Sequence, residues 1–130
     1  KVFFCENALE TVTALKGKVR QYAVTNGTII AQSRKLSLSG LDKIFDDVFI
    51  SDKIGFEKPS LEFFDAVQEK IGKFMPGKVM IIGDSLTSDI RGGINAGILC
   101  CWYNPMNHEN KTSLKIDYEI KDIAEILNLI

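Results

Sequence analysis

Val79-Met80-Ile81-Ile82-Gly83-Asp84-Ser85-Leu86-Thr87-Ser88-Asp89 decides the reading of this chain. Its first four residues form an unbroken apolar run, the pattern of a strand covered on both faces in a parallel sheet. The strand is expected over 78–83. Asp84 follows it directly, so its carboxylate projects at the sheet edge. Asp89 falls in the first turn of a helix expected over 88–96, with Thr87 or Ser88 as N-cap and Gly97 as its stop. Ligands of open α/β sheets bind beyond the carboxyl ends of the strands. Two carboxylates bracketing a hydroxyl-rich turn there suit a hard cation such as Mg²⁺, which takes oxygen ligands and keeps several waters. A turn-forming Asp84 and a dipole-stabilising Asp89 would give the same pattern.

Outward from this stretch, helix-like and strand-like segments alternate. Helices are expected over 7–16, with Asn7 as N-cap, over 28–39, closed by Gly40, and over 59–71, 88–96 and 122–129. Strands are expected over 19–25, 47–51, 78–83, 98–103 and 118–120, and 104–113 reads as a polar loop. This rhythm predicts a parallel sheet with helices on both faces.

The 130 residues make one domain's worth of chain, with 45% hydrophobic and 25% charged residues. Sixteen basic residues against seventeen acidic ones leave a net charge of −1. That balance gives no electrostatic reason to expect nucleic acid or an anionic membrane as a partner. No apolar run approaches the roughly 20 residues of a membrane-spanning helix. The start, Lys1-Val2-Phe3-Phe4-Cys5-Glu6, lacks an apolar signal core and an initiator Met, and reads as a cut end. Cys5, Cys100 and Cys101 form no disulfide framework, so reduced thiols and a cytoplasmic location are expected. Cys100 and Cys101, in an apolar run, read as small core residues. His108 is the single histidine, which argues against a His-rich zinc site or a His-based triad.

Two other strand ends carry polar groups. Thr25-Asn26-Gly27 offers a hydroxyl and backbone amides at a helix start, which can hold phosphate oxygens. Alone, it equally fits an ordinary strand–turn–helix junction. Lys58 precedes Pro59, a residue favoured at the first helical position. A cation near an N-cap is unwelcome unless a phosphate or carboxylate offsets it, and a solvated surface lysine fits as well.

Thr25-Asn26-Gly27, Glu57-Lys58-Pro59 and Gly83-Asp84-Ser85 with Asp89 resemble, in order, the second, third and fourth motifs of the haloacid dehalogenase-like (HAD) hydrolases. The flanking residues, Ile54-Gly55-Phe56 and Trp102-Tyr103-Asn104-Pro105 among them, are similar to the YjjG/YfnB-like phosphatase/5′-nucleotidase branch. The resemblance implies a Rossmann-like, HAD-type three-layer parallel sheet. It also implies a Mg²⁺-dependent phosphatase acting on small phosphorylated metabolites, nucleoside 5′-monophosphates included, through an aspartyl-phosphate intermediate. By that resemblance Thr25, Asn26 and Gly27 bind the substrate phosphate. Lys58 steadies the nucleophile and the phosphoryl oxygens. Asp84 is a Mg²⁺ ligand, and Asp89 binds the metal through water or orients Lys58.

The family's first motif, a strand ending in Asp-x-Asp, has no counterpart, because no two aspartates here are spaced by two. Residues 1–17 resemble the end of a helical cap and 18–130 the C-terminal part of the core. The expected fold therefore lacks the first, central strand and most of the cap. The chain alone is expected to be inactive. The strands at 19–24 and 79–83 would flank a gap, which another chain's strand could fill, which could close, or through which copies could self-associate. A haloacid dehalogenase and a non-catalytic phosphate-binding α/β module are the alternatives.

Overall fold

The computed structural model describes residues 8–130, so the expected cap Asn7 and the thiol of Cys5 lie outside it. The strands are parallel, as the sequence predicts, and helices separate all of them but the last two. The chain divides into two compact units, one ending at Gly55 and completed by Asp122–Ile130, the other Phe56–Lys121.

In the first unit, helix α1 (Ala8–Leu15) precedes strand β1 (Tyr22–Thr25), helix α2 (Ile29–Ser39), strand β2 (Asp47–Ile50) and the short helix α3 (Ser51–Ile54). β1 and β2 pair in parallel, Tyr22 opposite Asp47 and Thr25 opposite Ile50. β1 starts later than the apolar pattern suggests. The Gln21 amide donates to the Asp46 carboxylate at 2.7 Å, so the ladder begins only at Tyr22. Thr28 caps α2, its hydroxyl accepting from the Ala31 amide at 3.1 Å, and Gly40 ends the helix with φ of 80°. The final helix winds as a tight 3₁₀ segment, Ile123–Asn128, not as an α-helix over 122–129. In so short a segment, i→i+3 bonds satisfy end groups that an α-helix would leave open. Asp122 and Glu125 form a reciprocal capping box at its start.

In the second unit, helix α4 (Leu61–Ile71), strand β3 (Met80–Gly83), helix α5 (Arg91–Ala96), strand β4 (Leu99–Tyr103) and strand β5 (Tyr118–Ile120) follow in order. The strands form one parallel sheet in the order β3-β4-β5, with Gly83 opposite Trp102 and Trp102 opposite Glu119. Phe63, Phe64 and Val67 bury one side of α4. Cys100 and Cys101 are fully buried, as core residues should be. The expectation that β3 is covered on both faces is corrected, because Ile82 is 37% exposed. Among the described residues β3 is an edge strand of its sheet. β1 and β3 belong to different sheets, and no ladder joins them among the described residues.

Helix α5 approaches its sheet closely through two glycines. A Cβ on Gly92 would lie 2.6 Å from the Phe64 ring, and one on Gly93 would lie 2.5 Å from Ile81 and 2.7 Å from the Cys100 sulfur. Gly93→Ala is therefore expected to overpack the core and destabilise it by about 1–3 kcal/mol, read as a lower urea midpoint. The Cys100 thiol also makes the fold pH-sensitive. Burial, helped by the Asp117 carboxylate, pushes its pKa up to about 11. A group whose pKa is raised on folding stabilises fully below its unfolded pKa and loses that contribution as pH rises through the folded value. Stability should fall between about pH 9 and about 11, and that part of the fall should vanish in Cys100→Ala when urea midpoints are compared.

Candidate functional site

The carboxyl end of β3 gathers three of the residues singled out from sequence. Lys58 is only 8% exposed, and a buried ammonium needs an anionic partner. That partner is Asp89, whose Oδ1 accepts from Lys58 Nζ in a short, buried ion pair. Lys58 does not sit at the helix N-terminus as Pro59 suggests. Ser60 is the cap, its hydroxyl accepting from the Phe63 amide at 3.3 Å, so α4 begins at Leu61 and not at Pro59. The charge of Lys58 is thus met by a carboxylate from another element.

Asp89 reaches inward because of the turn that carries it. The Ser85 carbonyl accepts from both the Asp89 amide at 3.0 Å and the Ile90 amide at 3.1 Å. These bonds make a π-type turn over Leu86–Ile90 that runs into α5. Ser85, not Thr87 or Ser88, is the cap, because its hydroxyl accepts from the Ser88 amide at 3.1 Å. The turn brings Asp89 Oδ2 to 3.2 Å from the Ser85 amide. Gly83 makes room, since a Cβ there would run into the Asp89 carboxylate. Asp84 is exposed, and its carbonyl accepts from the Trp102 indole at 3.0 Å.

The two acids are therefore unlike. Asp84 offers an exposed hard-oxygen donor that fits Mg²⁺. Both Asp89 oxygens already accept protein N–H groups, an arrangement that suits orienting Lys58. Among the described residues no three His, Cys, Asp or Glu side chains cluster as a metal site. Mg²⁺ sites built from one or two carboxylates, phosphate and water need no such cluster.

Thr25, Asn26 and Gly27 lie in the other unit, at the end of β1. Thr25 Oγ1 donates to the Asn26 carbonyl at 3.4 Å. The Gly27 amide donates to Ser51 Oγ at 2.9 Å, and the Ile29 amide to Asp52 Oδ2 at 3.1 Å. The Gly27 amide, expected to face a phosphate, thus has a protein acceptor. Sequence reasoning missed Ser51 and Asp52, although their place just after β2 is the signal that would have found them. It also missed Asn104, which is 2% exposed. Its side chain donates to the His108 carbonyl at 2.9 Å and to Glu119 at 3.0 Å, and accepts from the His108 amide. The Lys121 ammonium, then Asn104, hold the Glu119 carboxyl below the usual carboxylate range.

Residues 2–97 match the family model of the haloacid dehalogenase-like hydrolases. The chain belongs to this family. It is 38% identical over 125 residues to the HAD-hydrolase YfnB of Bacillus subtilis, covering 96% of the chain and 53% of YfnB. It is 42% identical over 107 residues to the pyrimidine 5′-nucleotidase PynA of Streptococcus pneumoniae, covering 82% of the chain and 45% of PynA. The crystal structure of YfnB bound to magnesium matches this HAD chain with a TM-score of 0.91 at 39% identity, over 95% of the chain and 54% of that structure. The chain spans about half the length of the curated relatives it matches.

The ion pair sets a stability expectation. Asp89→Asn should cost about 3–5 kcal/mol, because it leaves a buried ammonium without its carboxylate. The double replacement Lys58→Met/Asp89→Leu should cost clearly less than Asp89→Asn alone, since neither charge then remains buried. Urea denaturation of both variants checks the order.

Proposed function

We propose that this chain is the C-terminal part of a Mg²⁺-dependent phosphatase acting on small phosphorylated metabolites, nucleoside 5′-monophosphates among them. The reaction proceeds through an aspartyl-phosphate whose nucleophile lies outside these 130 residues. One observation carries the reading: a buried Lys58–Asp89 pair beside the exposed Asp84, at the carboxyl end of one strand. The relatives support the substrate class, since PynA is named a pyrimidine 5′-nucleotidase and a further relative a glyceraldehyde 3-phosphate phosphatase.

The roles follow from environment. Lys58 presents a fixed ammonium to phosphoryl oxygens and to the nucleophile, and Asp89 aims it. A fixed cation stabilises charge in the transition state without reorganising. Asp84 would hold Mg²⁺, assisted through water by Asp89, and the bound metal supplies charge neutralisation at the phosphoryl group. At the end of β1, Thr25 donates its hydroxyl to phosphate, with Asn26 and Gly27 shaping the turn around it. Residues 1–17 are the end of a cap, and 18–130 belong to the core. Pairing of copies along the β3 edge is the proposed route to self-association. No helix among the described residues is long and apolar enough to cross a membrane. The cytoplasm is the proposed location.

The test is phosphate release from nucleoside 5′-monophosphates by the whole protein with Mg²⁺. Lys58→Ala should lower turnover on the order of 10²-fold, as loss of a preorganised charge does. The 130-residue chain alone should release none. Near-normal turnover in a folded Lys58→Ala variant would remove the assigned role, and halide release from haloacids without phosphate release would replace the reading by a dehalogenase.

A further inference from the structure

Resting on the reading of Asp84 as a metal ligand, we infer that Trp102 is a positioning residue whose indole N–H, together with Asp89, clamps the Asp84–Ser85 peptide and so fixes the aim of the Asp84 carboxylate. The β3–β4 ladder ends at Gly83 opposite Trp102. The next peptide unit, between Asp84 and Ser85, lies beyond it. Its carbonyl accepts from Trp102 Nε1 at 3.0 Å, and its amide donates to Asp89 Oδ2 at 3.2 Å. Both ends of one peptide plane are therefore held by side chains from two different elements.

Each holder is itself fixed. Trp102 is 3% exposed, so its ring cannot swing away without opening a void. A buried indole N–H left without an acceptor is costly, which keeps the bond made. Asp89 is anchored through its other oxygen to buried Lys58. Fixing the plane fixes ψ of Asp84, and with it the direction in which the Cα–Cβ bond leaves the backbone. An exposed aspartate then has only its two side-chain torsions left to search. The same peptide links the exposed carboxylate to the Lys58–Asp89 pair, so loosening one end loosens both.

Phenylalanine keeps most of the indole's volume and removes its donor, so Trp102→Phe isolates the bond. The probe is MgCl₂ alone, titrated calorimetrically into the whole protein, with Ser85 amide exchange followed by ¹⁵N NMR. Trp102→Phe should weaken Mg²⁺ binding about three- to tenfold, the factor one net hydrogen bond supports, and should speed Ser85 exchange by a similar factor. Ile120→Val, a packing loss in the same sheet, should leave both unchanged, which separates aiming from mere stability. Trp102 is the one tryptophan of these 130 residues, and its indole N–H signal, assigned by its loss in Trp102→Phe, is a second check. It should exchange slowly and shift when MgCl₂ is added. Wild-type affinity in folded Trp102→Phe, or an indole N–H exchanging at the free-tryptophan rate, overturns the clamp. A whole wild-type protein indifferent to MgCl₂, or its Asp84→Asn variant binding as wild type does, overturns instead the assignment of Asp84 on which the clamp rests.

Discussion

A lysine ammonium out of water is the constraint around which the Phe56–Lys121 unit is arranged. Burying an isolated charge costs far more than one domain's net stability, unless a counter-charge and hydrogen bonds accompany it. Asp89 supplies the counter-charge, and everything near it serves to bring it there. Gly83 has no Cβ where the carboxylate passes. The π-type turn at Leu86–Ile90 directs the side chain toward the strand end instead of leaving it on a first helical turn facing water. Gly92 admits the Phe64 ring and the Pro59 backbone, so the helix bearing Asp89 and the loop bearing Lys58 approach each other. Such a pair is weak evidence of stability gained, because well-packed apolar residues often do as well. Its place beside an exposed acid agrees with the role proposed for the charge.

The sequence made most of this architecture legible, for identifiable reasons. Apolar runs and Gly, Ser or Thr punctuation located the strands and helices of both units, because those signals are local. The misplaced ends were decided by competition between neighbours that a linear pattern does not contain. Ser60 took the cap and moved the helix start from Pro59 to Leu61, Ser85 outranked Thr87 and Ser88, and the Gln21 amide went to the Asp46 side chain. Met80 to Ile82 looked like a strand covered on both faces because the apolar run records composition and not neighbours. Ile82 is 37% exposed, and what packs over a strand's faces is not written in the run.

In the site, residue types were easier to read than their partners. Lys58, Asp84 and Asp89 stand out by position after strands or before a helix. That Asp89 binds Lys58 across 31 residues of chain is a tertiary fact without a local signature. The same holds for Ser51, which takes the Gly27 amide from 24 residues away, and for Trp102 on the Asp84 carbonyl. The local pattern places Asp89 only at a helix start, and Ser51 and Trp102 only in strands. A single side chain meets both demands because buried donors and acceptors must find partners wherever the backbone leaves them unpaired.

Two aspartates five residues apart illustrate how far environment, not identity, assigns chemistry. Were the turn a regular α-helical one, Asp89 would lie in the first turn, stabilise the dipole and remain hydrated. The one-residue widening that lets the Ser85 carbonyl accept from Ile90 as well as Asp89 changes where that carboxylate points. It becomes a buried anchor holding a cation and a backbone amide, while Asp84, outside the turn, keeps its oxygens exposed. Placing two equivalent acids side by side would have set like charges against each other. Here the inner one is neutralised by Lys58, so the outer one can attract a cation while the ammonium stays fixed nearby for an anion. One widened turn thus separates a buried, paired carboxylate from an exposed one, and it needs only Gly83 below and the Asp84–Ser85 peptide beside it to do so.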